Sequence, residues 1–358
     1  MKKIKVGIWG LGRAGFKMHV PEIGKFPDMF EIVTGCDLDP ERTKALKEKF
    51  PACNVYQDPD SFLRDKNIEL VTVATRSPDH VPHTLKALSK GYYVFIEKPI
   101  AMTYADAKKL KKASQKYPGK LFLRHNRRFE RGFHHISEII ASGILGDVYE
   151  IKLHRHGYQR RSDWQTLIKC GGGQLNNWGP HIIDHGLRML ESPVAEIWSD
   201  LKKIAAVGDA EDHIKIILKG ENGRIVDIEI SGGVAIQQPE YIVFGTKGSL
   251  VCDGDSGSNT ITMKYIDPKQ KLKKIKADPG NPPLNVVTSV GAAGKQENIR
   301  WIEKSMPVAP RSGQTMSNIW KALFETVRKR KKFPISIDEG LEVVRVTEIV
   351  KKNSLFAR

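Results

Sequence analysis

A glycine-rich loop near the start of the chain constrains its fold more than any other feature. Gly10, Gly12 and Gly15 follow a strand-like apolar run, residues 5–10, and open a helical pattern, residues 12–24. The first glycine permits a tight turn, the second lets the backbone approach a pyrophosphate, and the third lets helix and strand pack closely. Free N–H groups at the start of the helix favour bound phosphate. The expected phosphate-binding residues are Gly10, Leu11, Gly12, Arg13, Ala14 and Gly15.

An acidic residue ends the second strand-like run. Asp37 lies about 20 residues beyond the last glycine of the loop, where a carboxylate accepts hydrogen bonds from the ribose hydroxyls of a dinucleotide. A carboxylate there repels a 2′-phosphate, and the neighbouring Leu38 offers no positive charge. The sequence therefore favours NAD as the cofactor and leaves NADP as the alternative.

Strand-like and helical segments alternate over the first 123 residues. Strands are predicted at residues 5–10, 31–37, 70–74, 93–97 and 120–123, and helices at 12–24, 40–50, 79–90 and 104–117. Short strands buried on both faces and separated by helices form parallel sheets. We therefore expect a doubly wound Rossmann domain over residues 1–123, in an α/β protein.

The pattern changes after residue 124. A helical stretch, 132–142, precedes alternating runs at 214–218, 224–230, 241–244, 249–252 and 260–265, the first two joined by an Asn222-Gly223 turn. These predict an α+β domain over residues 124–335, with a large, open, mostly antiparallel sheet, for substrate binding and oligomerisation. A Pro/Gly-rich loop is expected at 278–294. The last helix, 336–352, begins with the capping-box spacing Ser336 to Glu339 and is expected to pack back on the first domain.

Composition limits the classes of protein that fit. The chain of 358 residues is 40% hydrophobic and 28% charged, which suits two globular domains. No run approaches the ~20 apolar residues of a membrane-spanning helix, and the first eight residues are typical of a strand and not of a secretion signal. The four cysteines match neither a disulfide framework nor a metal site. We expect a cytoplasmic protein that binds no metal and no membrane.

The net charge of +17 is the most unusual bulk property. Its basic residues are spread along the chain, which favours a solvated surface. Steering of an anionic substrate and contact with nucleic acid are the alternatives. Because no nucleic-acid-binding module is recognisable, we expect no nucleic-acid partner.

The tripeptide Glu97-Lys98-Pro99 ends a predicted strand of the Rossmann domain and makes the sequence more specific. Further matching segments are Thr75 with His80 and Gly91, then 126–129, 143–146, 171–181 and 245–250. Together they resemble the Gfo/Idh/MocA family, the relatives of glucose–fructose oxidoreductase and inositol dehydrogenase, over nearly the whole chain. The resemblance implies an NAD(P)-dependent oxidoreductase that forms a homodimer or homotetramer through the exposed face of its second sheet.

In that family a lysine and a histidine act on the substrate hydroxyl, and the Lys-Pro bond is commonly cis. The resemblance assigns these roles to Lys98 and His181. Oxidation of an alcohol requires a proton acceptor, and imidazole titrates near neutral pH. Burial and the positive nicotinamide would lower the pKa of Lys98. The sequence leaves open which of the two is the base.

The chain departs from the family at Asn177, where aspartate is common. The spacing of four residues would put Asn177 and His181 on one helix face, so we include Asn177 among the catalytic residues. An amide can orient an imidazole but cannot balance its positive charge. Asp184, one turn beyond His181, is the expected alternative source of charge.

The remaining contacts are expected from loops on both sides of the cleft. For the cofactor these are Thr75, Arg76, His80, Glu97 and Lys98; for the substrate they are Asn126, Arg127, Arg128, His156, Tyr158, Trp164, Asn177, His181 and Asp184. His154 and His156 share one strand face but are too few for a zinc site.

Three functions follow from this site. The leading hypothesis is hydride transfer between a nicotinamide cofactor and a secondary alcohol of a sugar, sugar derivative or cyclitol. One alternative is a glycoside-cleaving enzyme in which tightly held NAD cycles through a transient keto-sugar. The other is a non-catalytic dinucleotide-binding sensor.

Overall fold

A six-stranded, entirely parallel sheet forms the N-terminal part of the computed structural model, which describes residues 1–254, 259–274, 279–280 and 297–357. Its strand order is β3-β2-β1-β4-β5-β6. The strands are β1 (Ile4–Trp9), β2 (Phe30–Cys36), β3 (Asn54–Tyr56), β4 (Leu70–Val73), β5 (Tyr93–Ile96) and β6 (Leu121–Leu123). The predicted doubly wound arrangement is confirmed. The sequence analysis missed β3, because three residues at a sheet edge are too few to give a periodic pattern.

Four of the five helices between these strands lie where the pattern predicts them, and the short third helix was not predicted. They are α1 (Val20–Gly24), α2 (Pro40–Lys49), α3 (Pro59–Phe62), α4 (His80–Ser89) and α5 (Tyr104–Lys116). The first helix differs from a regular one because a π-helical turn, Gly15–His19, precedes α1. Pro21 lacks an N–H group and its ring crowds the carbonyl of the preceding turn, and the wider turn accommodates it.

An eight-stranded sheet forms the second half, in the order β14-β13-β12-β11-β7-β10-β9-β8. Its strands are β7 (Val148–His156), β8 (Val194–Lys202), β9 (His213–Gly220), β10 (Ile225–Ser231), β11 (Tyr241–Gly245), β12 (Gly248–Cys252), β13 (Thr260–Ile266) and β14 (Trp301–Pro307). Of these described strands, only β7 and β10 pair in parallel, so the predicted mostly antiparallel sheet is confirmed. The hairpin of β9 and β10 is also confirmed, and Gly223 in its turn has a φ of 80°.

The two strands that the sequence analysis missed, β8 and β14, form the two edges of this sheet. Edge strands are partly solvated, so apolar and polar residues alternate less clearly in them. The predicted loop at 278–294 lies, apart from residues 279–280, outside the described residues.

Within the described residues, helices cover one face of the second sheet and leave the other face open. The remaining helices are α6 (Arg131–Ala141), α7 (Gln174–Asn177), α8 (Gly179–Leu190), α9 (Asn318–Lys329) and α10 (Ile337–Lys352). Buried side chains of α6 and α8 pack on the inner face in one core. Trp198 and Trp301 are 58% and 49% exposed on the other side of their strands. None of the helices in the described ranges has the length and apolar character that a membrane span requires.

The last two helices connect the halves of the molecule. Trp320 and Leu323 of α9 belong to the core of the first sheet, although residues 124–335 were expected to form the second domain. Ser336 and Glu339 form the predicted capping box of α10. This helix packs on α5 of the first half and on α8 of the second. It therefore bridges the two cores and does not belong to the Rossmann domain alone.

Candidate active site

The glycine loop after β1 has the shape that a pyrophosphate requires. Gly10 has a φ of +96°, and a Cβ atom on it would lie 2.5 Å from the carbonyl oxygen of Ala74. A Cβ on Gly15 would overlap the carbonyl oxygen of Gly10, so neither position accepts a side chain. At Gly12 a Cβ would meet only Arg42, at 3.6 Å. The loop is therefore closely packed at Gly10 and Gly15 and open at Gly12. The open backbone at Gly12 is the kind of surface that a dinucleotide phosphate approaches.

Asp37, expected at the ribose, lies directly beside this loop. Its Oδ2 accepts a hydrogen bond from the N–H of Leu11 at 2.7 Å, and its Oδ1 accepts one from the N–H of Asp39 at 3.0 Å. Arg42 places Nη1 3.4 Å from Asp37 Oδ2 and Nε 3.2 Å from Asp39 Oδ2. The sequence analysis missed Arg42 because it considered only Leu38 beside Asp37. The first turn of α2 brings Arg42 back to the same carboxylate.

The carboxylate of Glu97 is buried and holds the backbone of Lys98. Its Oε1 accepts a hydrogen bond from Arg124 at 2.6 Å and lies 2.9 Å from His19 Nε2, while its Oε2 accepts the N–H of Lys98 at 3.0 Å. Burial alone would raise the pKa of Glu97, but Arg124 and His19 hold it far below its usual range. Arg124 also binds Glu22, at 2.5 Å. Glu97 is therefore a buried support of Lys98, and its contact with the cofactor stays a prediction.

Lys98 points toward the second half of the molecule. The Lys98–Pro99 peptide is cis, as in the family it resembles. The Nζ atom of Lys98 donates a hydrogen bond to the backbone carbonyl of Asn177 at 2.7 Å and lies 3.4 Å from the Oδ1 atom of Asn177. Burial lowers the pKa of Lys98 to about 8; Glu97 opposes this shift, and Arg127 and neighbouring arginines add to it. A substantial neutral fraction is therefore present just above neutral pH.

His181 lies in the first turn of α8 and is 7% exposed. Burial lowers its pKa well below the usual value, and the positive charges of Lys98 and Arg127 lower it further. Its Nδ1 is buried and has no hydrogen-bond partner within the described part of the chain. The imidazole is therefore neutral at physiological pH.

Asn177 and His181 do not share one continuous helix, contrary to expectation. Trp178 interrupts the helix between α7 and α8. Pro180 has no N–H group to continue the hydrogen-bond ladder of α7. Asn177 consequently directs both of its oxygen atoms to Lys98.

Asp184 and Arg128, both expected at the substrate, pair with each other. Arg128 holds Asp184 with two parallel hydrogen bonds of 2.6 Å and binds Glu339 at 2.9 Å. Asp184 is only 1% exposed. Its carboxylate is thus engaged by Arg128 and does not balance the charge of His181. The two residues thereby join the turn at 126–129, α8 and α10, and their contact with substrate stays a prediction.

The other expected cofactor residues lie between the end of β4 and the first residue of α4. The ring of His80 is buried between the carbonyl oxygens of Pro99, at 2.8 Å from Nδ1, and Thr75, at 3.1 Å from Nε2. His80 therefore links Thr75 to the segment that follows Lys98. Arg76 is at the surface, paired with Asp79 at 3.0 Å.

The other expected substrate residues differ in their exposure and in their partners within the protein. Trp164 is 46% exposed and lines the same cleft as Lys98 and Asn177, and Arg127 lies over the Trp178 ring at 4.2 Å. By contrast, His156 Nε2 lies 3.1 Å from Glu229 and its Nδ1 accepts the N–H of Gln238. Tyr158 is 60% exposed, and Asn126 is buried.

The supporting residues of Lys98 were not predicted. His19 and Glu22 come from the helical segment after the glycine loop, and Arg124 comes from the end of β6. Arg124 directly follows β6, and a charged residue at the carboxyl end of a buried strand is a signal that could have identified it. Nothing in the local pattern distinguishes His19 or Glu22.

A Rossmann sheet with an open glycine loop, together with a half-buried lysine that contacts a second domain, defines a dinucleotide-dependent oxidoreductase. Comparison with known families agrees. Residues 4–125 match the model described as oxidoreductase family, NAD-binding Rossmann fold, and residues 133–251 match the GFO/IDH/MocA C-terminal domain. The chain belongs to the Gfo/Idh/MocA family and is an NAD(P)-dependent oxidoreductase.

Similar proteins extend over the whole chain. It is 26% identical to scyllo-inositol 2-dehydrogenase (NADP(+)) IolW of Bacillus subtilis, covering 98% of this chain and 94% of that protein. It is 25% identical to myo-inositol 2-dehydrogenase of Thermotoga maritima, over 78% and 90%. Among solved structures, an NAD-binding protein from Listeria innocua has the same fold, with a TM-score of 0.82, 22% identity and coverage of 100% and 99%.

Proposed function

We propose that this protein oxidises a secondary alcohol of a sugar, sugar derivative or cyclitol, with the nicotinamide cofactor taking the hydride. The observation that carries the proposal is Lys98, whose Nζ donates a hydrogen bond to the backbone carbonyl of Asn177 and whose pKa is lowered to about 8. The inositol dehydrogenases among the relatives support polyhydroxylated rings as substrates.

Lys98 is the base in this proposal. A neutral lysine can accept the hydroxyl proton as the hydride departs, and a base with a pKa near the working pH is the most effective. His181 has a pKa far below that range, so its neutral imidazole hydrogen-bonds the substrate oxygen and orients it. In the reverse direction the Lys98 ammonium returns the proton to the new alkoxide.

The cofactor lies along the glycine loop in this proposal. Bound dinucleotide supplies the hydride acceptor, and the residues that would hold it are Gly10, Gly12, Gly15 and Asp37. NAD is favoured over NADP because Asp37 and Asp39 flank Arg42 and offset its charge. A 2′-phosphate would meet two carboxylates and one guanidinium.

The direct test is an assay of the protein with NAD or NADP against a panel of sugars and cyclitols, following the absorbance of reduced nicotinamide. We expect turnover with at least one panel member. The same mixtures are examined by chromatography, since product without net reduced cofactor would identify the glycoside-cleaving alternative. Tight dinucleotide binding with neither signal would contradict both enzymatic functions.

Replacing Asn177 by aspartate is expected to change the pH dependence of turnover. A carboxylate beside the Lys98 ammonium favours the charged form and raises the pKa of the lysine, typically by about 1–3. Because the base must be neutral, activity in oxidation rises as pH rises through the pKa of Lys98, and the acid limb of kcat moves to higher pH. At a fixed pH on that limb, kcat falls about tenfold for each whole pH value by which the limb moves. An unmoved acid limb in N177D would contradict Lys98 as the base.

Replacing Asp37 by serine is expected to shift cofactor preference toward NADP. The variant loses a charge-assisted hydrogen bond to the ribose, worth about 1.5 kcal/mol, so the dissociation constant of NAD rises about tenfold. It also removes one of the two carboxylates that offset Arg42, so NADP binds more tightly. Fluorescence titration with NADH and NADPH measures the two dissociation constants.

The matched control for this prediction is Asp39→Ser, which removes a carboxylate that touches Arg42 but accepts no hydrogen bond from the glycine loop. Its NAD affinity should stay within about twofold of the wild type. Equal losses of NAD affinity in the two variants would refute the role of Asp37.

A further inference from the structure

A buried carboxyl group holds the beginning of the short helix α7, whose last residue contacts Lys98. Glu211, between β8 and β9, is 6% exposed. Its Oε1 accepts a hydrogen bond from the N–H of Leu175 at 3.0 Å, and its backbone carbonyl accepts one from the N–H of Gln174 at 3.1 Å. Glu211 therefore binds the first turn of α7 through both its side-chain carboxyl group and its backbone carbonyl.

Gly173 makes this close contact possible. It has a φ of +98°, and a Cβ atom there would overlap both carboxylate oxygens of Glu211. Its own N–H donates to the carbonyl of Gln165 at 2.8 Å. The carboxyl group thus lies against bare backbone just before α7, and the approach requires glycine at this position.

Only one helical turn separates Glu211 from the catalytic lysine. The N–H of Asn177 donates to the carbonyl of Gly173 at 3.0 Å, and the carbonyl of Asn177 accepts the Lys98 Nζ bond of 2.7 Å. A helix of four residues has little stability of its own. The position of the Asn177 carbonyl therefore depends on what holds the beginning of the helix.

We propose that Glu211 is a positioning residue for Lys98, which it reaches through Gly173, α7 and the Asn177 carbonyl. The proposal rests on the proposed function, in which Lys98 is the base. It adds a residue 113 positions away in sequence, from the other half of the molecule, to the groups that set the geometry of Lys98. Burial raises the pKa of Glu211 to about 7, so its neutral form is well populated and glutamine is a close substitute for it.

The test compares Glu211→Ala with Glu211→Gln. In E211A, we expect kcat to fall about 10–100-fold, because a displacement of about 1 Å in a catalytic group costs up to a hundredfold. The dissociation constant for NADH should stay within about twofold of the wild type, since the glycine loop and Asp37 are unchanged. E211Q retains the acceptor for the Leu175 N–H and should recover kcat to within about threefold.

A measurement that needs no substrate separates this proposal from the proposed function. In protein carrying carbon-13 lysine, the Lys98 signal is identified as the one missing from Lys98→Arg and is titrated by NMR. Burial is the largest influence on its pKa. Loosening of α7 in E211A admits water, so the pKa of Lys98 should rise by at least about 0.5, and E211Q should match the wild type.

Asp212 provides the matched control. Its carboxylate accepts the backbone N–H groups of Ala205 and Ala206 at 2.8 and 2.7 Å and anchors the same segment, with no hydrogen bond to α7 in the described part of the chain. Asp212→Ala should lower thermal stability and leave the Lys98 titration unchanged. An unchanged Lys98 titration in E211A, or the same shift in D212A, would overturn the proposal. If E211A does not fold, Glu211→Asp withdraws the carboxyl group by one methylene, and the same rise is expected of it.

Discussion

Lys98→Met is expected to lower kcat about 10³–10⁴-fold, because it removes the proton acceptor and leaves an unbranched side chain that is one atom shorter. Methionine also leaves the Glu97–Arg124 support intact, since that support holds the backbone N–H of residue 98. The NADH dissociation constant should therefore change by no more than about threefold. Steady-state kinetics and fluorescence titration measure the two quantities on the same preparation.

Two further variants define the role of this lysine. Lys98→Arg keeps the positive charge but cannot deprotonate near neutral pH, so a base predicts nearly the same loss in K98R as in K98M. Lys90→Met removes an exposed lysine at the end of α4 and should leave kcat unchanged. Near-normal turnover in K98R would show that Lys98 acts by its charge and not as a base.

Arg128→Met is expected to lower the free energy of unfolding by about 3–5 kcal/mol. Asp184 is almost fully buried, and removal of its partner leaves an uncompensated charge in the interior. Burial would raise the pKa of Asp184, but His125 and Arg128 hold it low. In R128M that pKa rises, so the destabilisation should be smaller at acid pH, where the carboxyl group is protonated. Urea denaturation followed by tryptophan fluorescence measures the change.

Comparison with a weaker ion pair controls for the loss of an arginine. Arg345 pairs with Glu342 on α10, where both side chains are about one-third exposed. Arg345→Met should therefore cost no more than about 1 kcal/mol. The double variant Arg128→Met, Asp184→Leu removes both buried charges and should recover part of the lost stability. Equal effects in R128M and R345M would contradict the structural role of Arg128.

Local pattern predicted the parts of the fold that depend on neighbouring residues. Five of the six strands in the first sheet follow from buried apolar runs, and the α10 capping box follows from Ser336 and Glu339. The edge strands β8 and β14 were missed because solvent contacts weaken their periodicity. The interrupted helix at Trp178 had a signal in Pro180, which was not used.

The sequence by itself determined the dinucleotide cradle and the lysine that faces it. Gly10, Gly15 and Lys98 have their roles because of strand–loop–helix geometry, which short-range spacing specifies. Only the tertiary structure decided which side chains these elements meet. Arg128 is 56 residues from Asp184 and 211 from Glu339, and Lys98 is 79 from Asn177. Such partners are selected by the packing of distant segments and by the need to pair buried charge, and no local periodicity records that choice.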